Sequence, residues 1–199
     1  MKVKAIPEGF HSLIPSLIVN NSAKELERNN LRNAFFNSNE IMEQRVKSFK
    51  YSVKIESSYF AAGTKAIEFY QQAFGAKKRR IFTMSDGYTI YAEIQIGDSI
   101  LILTDEYPEM NAFSPLSSGG GTSASLFLYV EDVDAVFTKA ISAGATVGMP
   151  LADAFWGDRA AGIIDPFGHR WMLCTHIKDV SDEELQKASQ EMFVKKAVA

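Results

Sequence analysis

The side chains that could do covalent chemistry are few in this sequence. Cys174 is the single cysteine, which excludes an intramolecular disulfide and a zinc site built from several thiolates. His176 stands two residues later, roughly 7 Å away on a strand that rises about 3.3 Å per residue. That separation is beyond hydrogen-bond reach, so we expect Cys174 to be a small buried apolar side chain rather than a nucleophile.

Glu93 is the acidic residue with the most chemical interest, because it stands inside the alternating run YAEIQI at 91–96. A carboxylate that faces an apolar cavity can serve as a general base. Three other roles are open at this point: a buried salt bridge to Arg159, a carboxylate that reaches solvent at the strand end, and a plain surface residue if the strand has the opposite phase.

Two stretches of the chain repeat one order of elements around these residues. Apolar residues at helical spacing begin at Lys65 and at Asp132, and Gly75 and Gly144 are placed to end these two helices. Each helix follows an apolar strand-like run and precedes a hairpin: the runs are 13–19 and 125–130, and the hairpins are 91–104 and 161–175. The pattern predicts two β-α-β-β(-β) modules that must pack to bury their one-sided sheets.

The composition sets limits on the function. The 199 residues carry 23% charged and 46% hydrophobic side chains and a net charge of −3, which is typical of a globular protein. A pI near 5.7 argues against non-specific nucleic-acid binding. The KKRR run at 77–80 is expected to be a solvated start of an edge strand. With no apolar run near the roughly 20 residues of a membrane span and no signal peptide, we expect no membrane partner and a cytoplasmic protein.

The motifs together resemble one known superfamily. They are GFHSLIPSLIV, KAIEFYQQAFGA, AEIQIGDSILILTDE, LYVEDVDAVFTKAISAGA and FWGDRAAGIIDPFGHRW. The chain resembles the vicinal oxygen chelate superfamily (the glyoxalase, bleomycin-resistance and dioxygenase group), and within it the PhnB-like branch. The resemblance implies an α+β fold in which two βαβββ modules curl into a cup that holds a ligand. It also implies a homodimer.

The domain boundaries follow from this pattern. Residues 1–106 form module 1, with an insertion at 24–64 that the superfamily lacks, and residues 124–180 form module 2. The Pro-, Gly- and Ser-rich segment 107–123 is interpreted as a linker or lid, and a capping box predicts a terminal helix within 181–199. In the insertion we predict a helix over 23–36 and a strand at 51–55, and we expect the segment to pack over the cup mouth or the dimer contact.

Enzymes of this superfamily bind a divalent metal through four His, Glu or Gln side chains. When the superfamily pattern is aligned with this sequence through the strand-ending valines and the turn glycines, the four ligand positions hold Ile14, Ile102, Ser125 and Met172. These side chains cannot form a site for a hard cation. His11 and His169 fall on the outer strand phase, whereas His176 shares the phase of Met172. We therefore predict neither a metal nor another cofactor.

The same alignment gives each strand a phase and so predicts the lining of the cup. Ala161 and Ile163 are expected to face inward together with Arg159, and Trp156 is expected either to cap the pocket or to anchor the core. Glu93 is the candidate catalytic residue. The predicted ligand-binding residues are Ser16, Tyr91, Glu93, Gln95, Phe127, Tyr129, Trp156, Arg159 and Met172.

The leading functional hypothesis is a protein that binds a small, partly apolar molecule in the cup without a metal. Whether it transforms that molecule is open. One alternative is a metal-dependent lyase, isomerase or dioxygenase, with Glu93 and either His11 or His176 as ligands. Another is a resistance protein that sequesters a drug without turnover.

Overall fold

The computed structural model describes residues 15–19, 62–85 and 87–197. The predicted helix at 23–36, the predicted strand at 51–55, and the residues Ile14 and His11 lie outside the described residues, so those predictions stay predictions. The described residues group into two compact units. The first contains 15–19, 62–71, 75–121 and 166–168, and the second contains 72–74, 122–165 and 169–197.

The first unit contains one βαβββ module. Its elements are β1 (Ser16–Val19), α1 (Ala62–Phe74), β2 (Lys77–Thr83), β3 (Thr89–Ile96) and β4 (Ser99–Asp105), and only the last three residues of α1, 72–74, belong to the second unit. They form a four-stranded mixed sheet in the order β1-β4-β3-β2, in which β1 runs parallel to β4 and the other pairs are antiparallel.

Helix α1 forms where the apolar spacing predicts it, with Ala66, Ile67 and Tyr70 almost fully buried. It ends at Gly75, which has a φ of 67°; a residue in this left-handed region is a common helix terminator. Its start at Ala62 precedes the predicted Lys65, because the buried Asp105 carboxylate on β4 accepts a hydrogen bond of 2.8 Å from the Gly63 amide. This carboxylate satisfies one of the amides that every helix start leaves without a partner.

The β3–β4 hairpin has the predicted register. Ile96 pairs with Ser99 around the Gly97 turn, and Glu93 lies opposite Ile102. Strand β2 is an edge strand and all its residues are exposed, as predicted for the basic run.

The second unit repeats the module with β5 (Ser125–Tyr129), α2 (Val133–Ser142), β6 (Thr146–Asp153), β7 (Asp158–Ile164) and β8 (Arg170–His176). The sheet order is β5-β8-β7-β6, with β5 parallel to β8. The α+β fold of two βαβββ modules is therefore confirmed.

Helix α2 packs against one face of the second sheet. The Val133 amide donates to the Thr175 hydroxyl at 2.9 Å, and Asp134 of α2 binds Arg159 of β7. Thr175 and Arg159 are register partners, so α2 lies on their side of the sheet. Side chains alternate along strands, and the opposite face therefore carries Met172 and Cys174.

The predicted phase of β7 is wrong. Gly162 pairs with Met172 and Ala160 pairs with Cys174. Arg159, Ala161 and Ile163 therefore lie on the α2 face and do not share a face with Met172. The predicted phase would require all four residues of DPFG, 165–168, to form the turn. Instead, the Asp165 amide donates to the His169 carbonyl at 2.9 Å and so closes a tighter turn. The Asp165 carboxylate also accepts from the His169 amide at 2.9 Å, which stabilises this register.

Two further segments complete the described chain. Helix α3 (Asp182–Ala197) begins with the predicted capping box, since the Ser181 amide donates to the Glu184 carboxylate at 3.0 Å and the Glu184 amide donates to the Ser181 hydroxyl. Within 107–123, the buried Ser114 amide donates to the Glu106 carboxylate at 2.7 Å, so this segment is anchored to the first unit. None of the helices in the described ranges is long and apolar enough to cross a membrane.

Candidate functional site

Glu93 lies in a row of register partners that crosses the first sheet. The backbone of Ser16 pairs with Ile102, Ile102 pairs with Glu93, and Glu93 pairs with Arg80. Ile102, Glu93 and Arg80 therefore lie on one face of the sheet. Glu93 is 3% exposed. A carboxylate this deeply buried needs hydrogen bonds or cations around it to remain in the folded protein.

Three side chains of the first unit supply those contacts. The Tyr91 hydroxyl donates to Glu93 Oε1 at 2.9 Å, while Arg80 Nη1 lies 3.6 Å from Oε1 and Arg79 Nε lies 4.0 Å from Oε2. Burial, and then the hydrogen bond to Glu93, raise the pKa of Tyr91 above its ordinary value. The salt-bridge alternative for Glu93 is thus correct in kind but wrong in partner, because Arg159 binds Asp134 and Asp153 instead.

Replacing Glu93 with alanine is expected to lower the free energy of unfolding by about 1–3 kcal/mol, because the Tyr91 hydroxyl and two guanidinium groups lose their shared acceptor. Chemical denaturation measures the change. Glu68→Ala, on the exposed side of α1, is the matched control and should stay within about 0.5 kcal/mol of wild type. Equal stability of the two variants would mean that the Glu93 contacts contribute nothing.

The other predicted ligand contacts of the first unit are less distinctive. Tyr91 and Gln95 are half-buried and share the face of Glu93 by strand alternation. The Gln95 side-chain amide donates to the Gly97 carbonyl at 3.1 Å. The backbone of Ser16 lies next to Ile102 in the same row.

A denser polar group lies in the second unit, and we call it the Asp158 cluster: Asp158, Tyr129, Trp156 and His176. Asp158 is 2% exposed. Its Oδ2 accepts hydrogen bonds of 2.9 Å from both the Tyr129 hydroxyl and the Trp156 indole, and its Oδ1 lies 2.9 Å from His176 Nδ1. One buried carboxylate therefore positions two aromatic rings and one imidazole.

His176 lies between two carboxylates, since its Nε2 is 3.0 Å from Oδ1 of the exposed Asp179. An ionised carboxylate only accepts hydrogen bonds, so both ring nitrogens donate when both contacts are made and the ring is then an imidazolium. The hydrogen bonds to Asp158 and then Asp179 raise the pKa of His176. Burial would raise the pKa of Asp158, but the bonds from His176, Tyr129 and Trp156 together hold it below its ordinary value.

These shifts predict how stability depends on pH. His176 has a raised pKa in the folded chain, so its stabilising contribution is complete below the ordinary value of 6.5 and is lost as the pH rises through the folded-state value. Asp158 has a lowered pKa, so its contribution is lost as the pH falls below its ordinary value of 3.8. The measurement is the melting temperature between pH 5 and pH 9. In wild type the His176 contribution should be lost toward alkaline pH, and in His176→Gln this decline should be absent. An identical pH profile of the two proteins would refute the contact.

Next to the cluster, the sheet face opposite α2 exposes large apolar side chains. Phe127 and Tyr129 of β5 are 63% and 60% exposed, and Met172 lies between Phe127 and Gly162 in the sheet. We call Phe127, Tyr129 and Met172 the aromatic face. These three residues were predicted to contact the ligand, and they share this face. Trp156 is held next to the face by its hydrogen bond to Asp158. Arg159, by contrast, lies on the α2 face.

Cys174 is buried, as expected, and burial raises the pKa of its thiol. A thiol in that state is a poor nucleophile. Asp158 is the residue that sequence reasoning missed. Its position in FWGDR, two residues before Ala160, was the available signal. The one-residue error in the β7 register put both residues on the wrong face of the sheet.

The side chains at the superfamily's metal-binding positions do not have suitable donor atoms for a divalent cation. The described residues at these positions are Ile102, Ser125 and Met172, and Ile102 and Met172 lie in the sheet rows described above. An alkyl group, a hydroxyl and a thioether do not fit a divalent cation that prefers imidazole and carboxylate. Nor does any group of three or more His, Cys, Asp and Glu in the described ranges have a geometry that could hold a metal.

Comparison with known proteins gives the family of the chain. Residues 63–173 match the model of the Glyoxalase/Bleomycin resistance protein/Dioxygenase superfamily. The uncharacterised protein Rv0887c of Mycobacterium tuberculosis is 40% identical over 126 residues, which is 62% of this chain and 74% of that protein.

The similar solved structures include a plant protein and a bacterial one. The Arabidopsis thaliana gene product At5g48480 has a TM-score of 0.51 at 19% identity, over 83% of this chain and 98% of that one. A PhnB protein from Bacillus cereus has a TM-score of 0.49 at 17% identity, over 83% of this chain and 99% of that one. The family match covers more than half of the sequence, and the chain belongs to the glyoxalase/bleomycin-resistance/dioxygenase superfamily.

Proposed function

We propose that this protein binds a small, partly apolar molecule against the aromatic face of its second unit, without a metal ion. The observation that carries the proposal is the exposure of Phe127 and Tyr129 beside a buried, hydrogen-bonded carboxylate. Small-molecule sites are mostly apolar and aromatic, with a few fixed polar groups that orient the ligand. The aromatic face and the Asp158 cluster have this composition.

Fixed side chains support the proposal. The Tyr129 hydroxyl and the Trp156 indole share one oxygen of Asp158, at 2.9 Å each, so the rings are held before a ligand arrives. Prior ordering of a site lowers the entropy that binding costs. An aromatic ligand ring stacked on such side chains gains about 0.5–1.5 kcal/mol beyond the area it buries.

The test is a screen of aromatic fragments by ligand-observed NMR against the purified protein. We expect fragments whose affinity falls about tenfold or more in Phe127→Ala, because a stacking partner and its buried area are both lost. Phe82→Ala is the matched control, since Phe82 is an exposed phenylalanine of the first unit. Fragments that bind wild type and Phe127→Ala equally, or a screen without binders, would contradict the proposal.

Metal analysis of the same protein separates this function from the metal-dependent alternative. We expect less than stoichiometric Zn, Ni, Mn or Fe. One tightly held ion per chain that is lost in Glu93→Ala would favour a metal-dependent lyase, isomerase or dioxygenase. Tight stoichiometric binding of a cationic drug with salt-sensitive affinity, together with drug protection in cells, would favour the sequestering alternative. The homodimer stays a prediction, which light scattering checks.

A further inference from the structure

We propose that His176, oriented by the buried Asp158, is a general acid–base residue that moves a proton on the molecule bound at the aromatic face. This inference rests on the proposed function, because the proton would come from or go to that ligand. It adds catalysis to what is otherwise a binding site. The substrate class is a small aromatic or partly apolar compound with an acidic C–H or O–H group.

The geometry of the pair supports this role. Asp158 Oδ1 lies 2.9 Å from His176 Nδ1, which fixes the ring orientation and directs Nε2 away from the buried carboxylate. Asp158 itself is held by Tyr129 and Trp156 on its other oxygen. An imidazole oriented by a supported carboxylate is a common arrangement for proton transfer.

The imidazole also borders the proposed ligand site. The Tyr129 hydroxyl and His176 Nδ1 bind the two oxygens of one carboxylate, so the imidazole is a neighbour of the exposed Tyr129 ring. The side chain of His176 is 54% exposed, and its Nε2 contacts Asp179, whose side chain is fully exposed. A carboxylate in that setting is weakly held and can rotate aside for a ligand.

The charged and titratable groups that face the pair in the described part of the second unit come from three directions. Asp158 lies on β7, Tyr129 on β5 and Asp179 after β8, while Cys174 is near Asp158. The two carboxylates stabilise the imidazolium and so raise the pKa of His176. Below that pKa the imidazolium can donate a proton, and above it the neutral imidazole can accept one.

A general probe for such a base is 5-nitrobenzisoxazole, a flat aromatic carbon acid. In the expected step the C3–H proton passes to His176 Nε2, and the electron pair of the C–H bond forms the nitrile. The N–O bond breaks at the same time, and its oxygen leaves as the coloured phenolate. The imidazolium then returns its proton to water, so the step needs no co-reactant.

The experiment measures probe binding and probe turnover in parallel. Nitroaromatic quenching of Trp156 fluorescence reports binding, and Trp156→Phe, which retains Trp171, identifies the responding indole. We expect saturable turnover that rises with pH and falls at least about tenfold in His176→Gln, with binding retained. Asp179→Asn should move the pH midpoint of turnover to lower pH. Asp153→Asn, at an exposed carboxylate on the other face, should match wild type.

The outcomes separate the two proposals. Binding without any turnover that depends on His176 would overturn the acid–base role and leave the binding function standing. A rate that falls in His176→Gln but has the same pH midpoint in Asp179→Asn would also contradict the geometry. Failure of the probe to quench Trp156, together with a fragment screen without binders, would overturn the binding function itself.

Discussion

Replacing Asp158 with alanine is expected to destabilise the protein by about 2–4 kcal/mol. The variant leaves the Tyr129 hydroxyl, the Trp156 indole and the His176 imidazole without the acceptor that they share. Each lost bond to a charged group costs about 1–3 kcal/mol, and the exposed edges of Tyr129 and His176 recover part of that through water.

Urea denaturation, with the midpoint and the slope fitted separately, measures this change. Asp153→Ala is the matched control, because Asp153 is an exposed carboxylate that also binds a cationic side chain. It should change the free energy of unfolding by less than about 1 kcal/mol, as exposed ion pairs do. If the two aspartate variants lose equal stability, the cluster does not stabilise the fold as described.

Replacing Gly157 with alanine is expected to cost about 3 kcal/mol or more. Gly157 has a φ of +93°, and a Cβ built on it would lie 2.0 Å from the Lys178 carbonyl oxygen. Because the obstacle is backbone, it cannot turn aside as a side-chain end could. The Gly157 carbonyl also accepts 2.9 Å hydrogen bonds from the Ile177 and Lys178 amides, so any shift disturbs the end of β8 next to His176.

Gly75→Ala separates the two causes of this cost. Gly75 has a φ of +67°, and nothing lies within 4 Å of the position that its Cβ would take. That variant should lose only about 1–2 kcal/mol, the cost of a left-handed conformation for a residue with a side chain. Differential scanning calorimetry should therefore rank Gly157→Ala well below Gly75→Ala in melting temperature. The reverse order would refute the close contact with Lys178.

The sequence carries the local features of this fold well. Helix α1 and the register that places Glu93 opposite Ile102 follow from apolar spacing and from a two-residue turn at Gly97. The capping box at Ser181 is likewise local. These features depend on neighbouring residues alone, so one sequence is enough to predict them.

Contacts between residues that are far apart in the sequence could not be predicted from the sequence. The carboxylate that binds the start of α1 is Asp105, 42 residues away from Gly63. The β7 phase depends on a carbonyl and a carboxylate that tighten the turn before His169, and this one-residue difference puts Asp158 rather than Arg159 on the face of Met172. Turn geometry fixes a hairpin register, and composition alone left it open.

The central claim is that the aromatic face of the second unit binds the ligand. Its most direct test is NMR of the protein labelled at its methionine methyl groups, titrated with the tightest-binding aromatic fragment. We predict a saturable shift of the Met172 signal whose midpoint moves to at least about tenfold higher fragment concentration in Phe127→Ala, while the exposed Met84 and Met110 of the first unit do not respond. Saturable shifts at Met84 or Met110 with an unmoved Met172 would contradict the account.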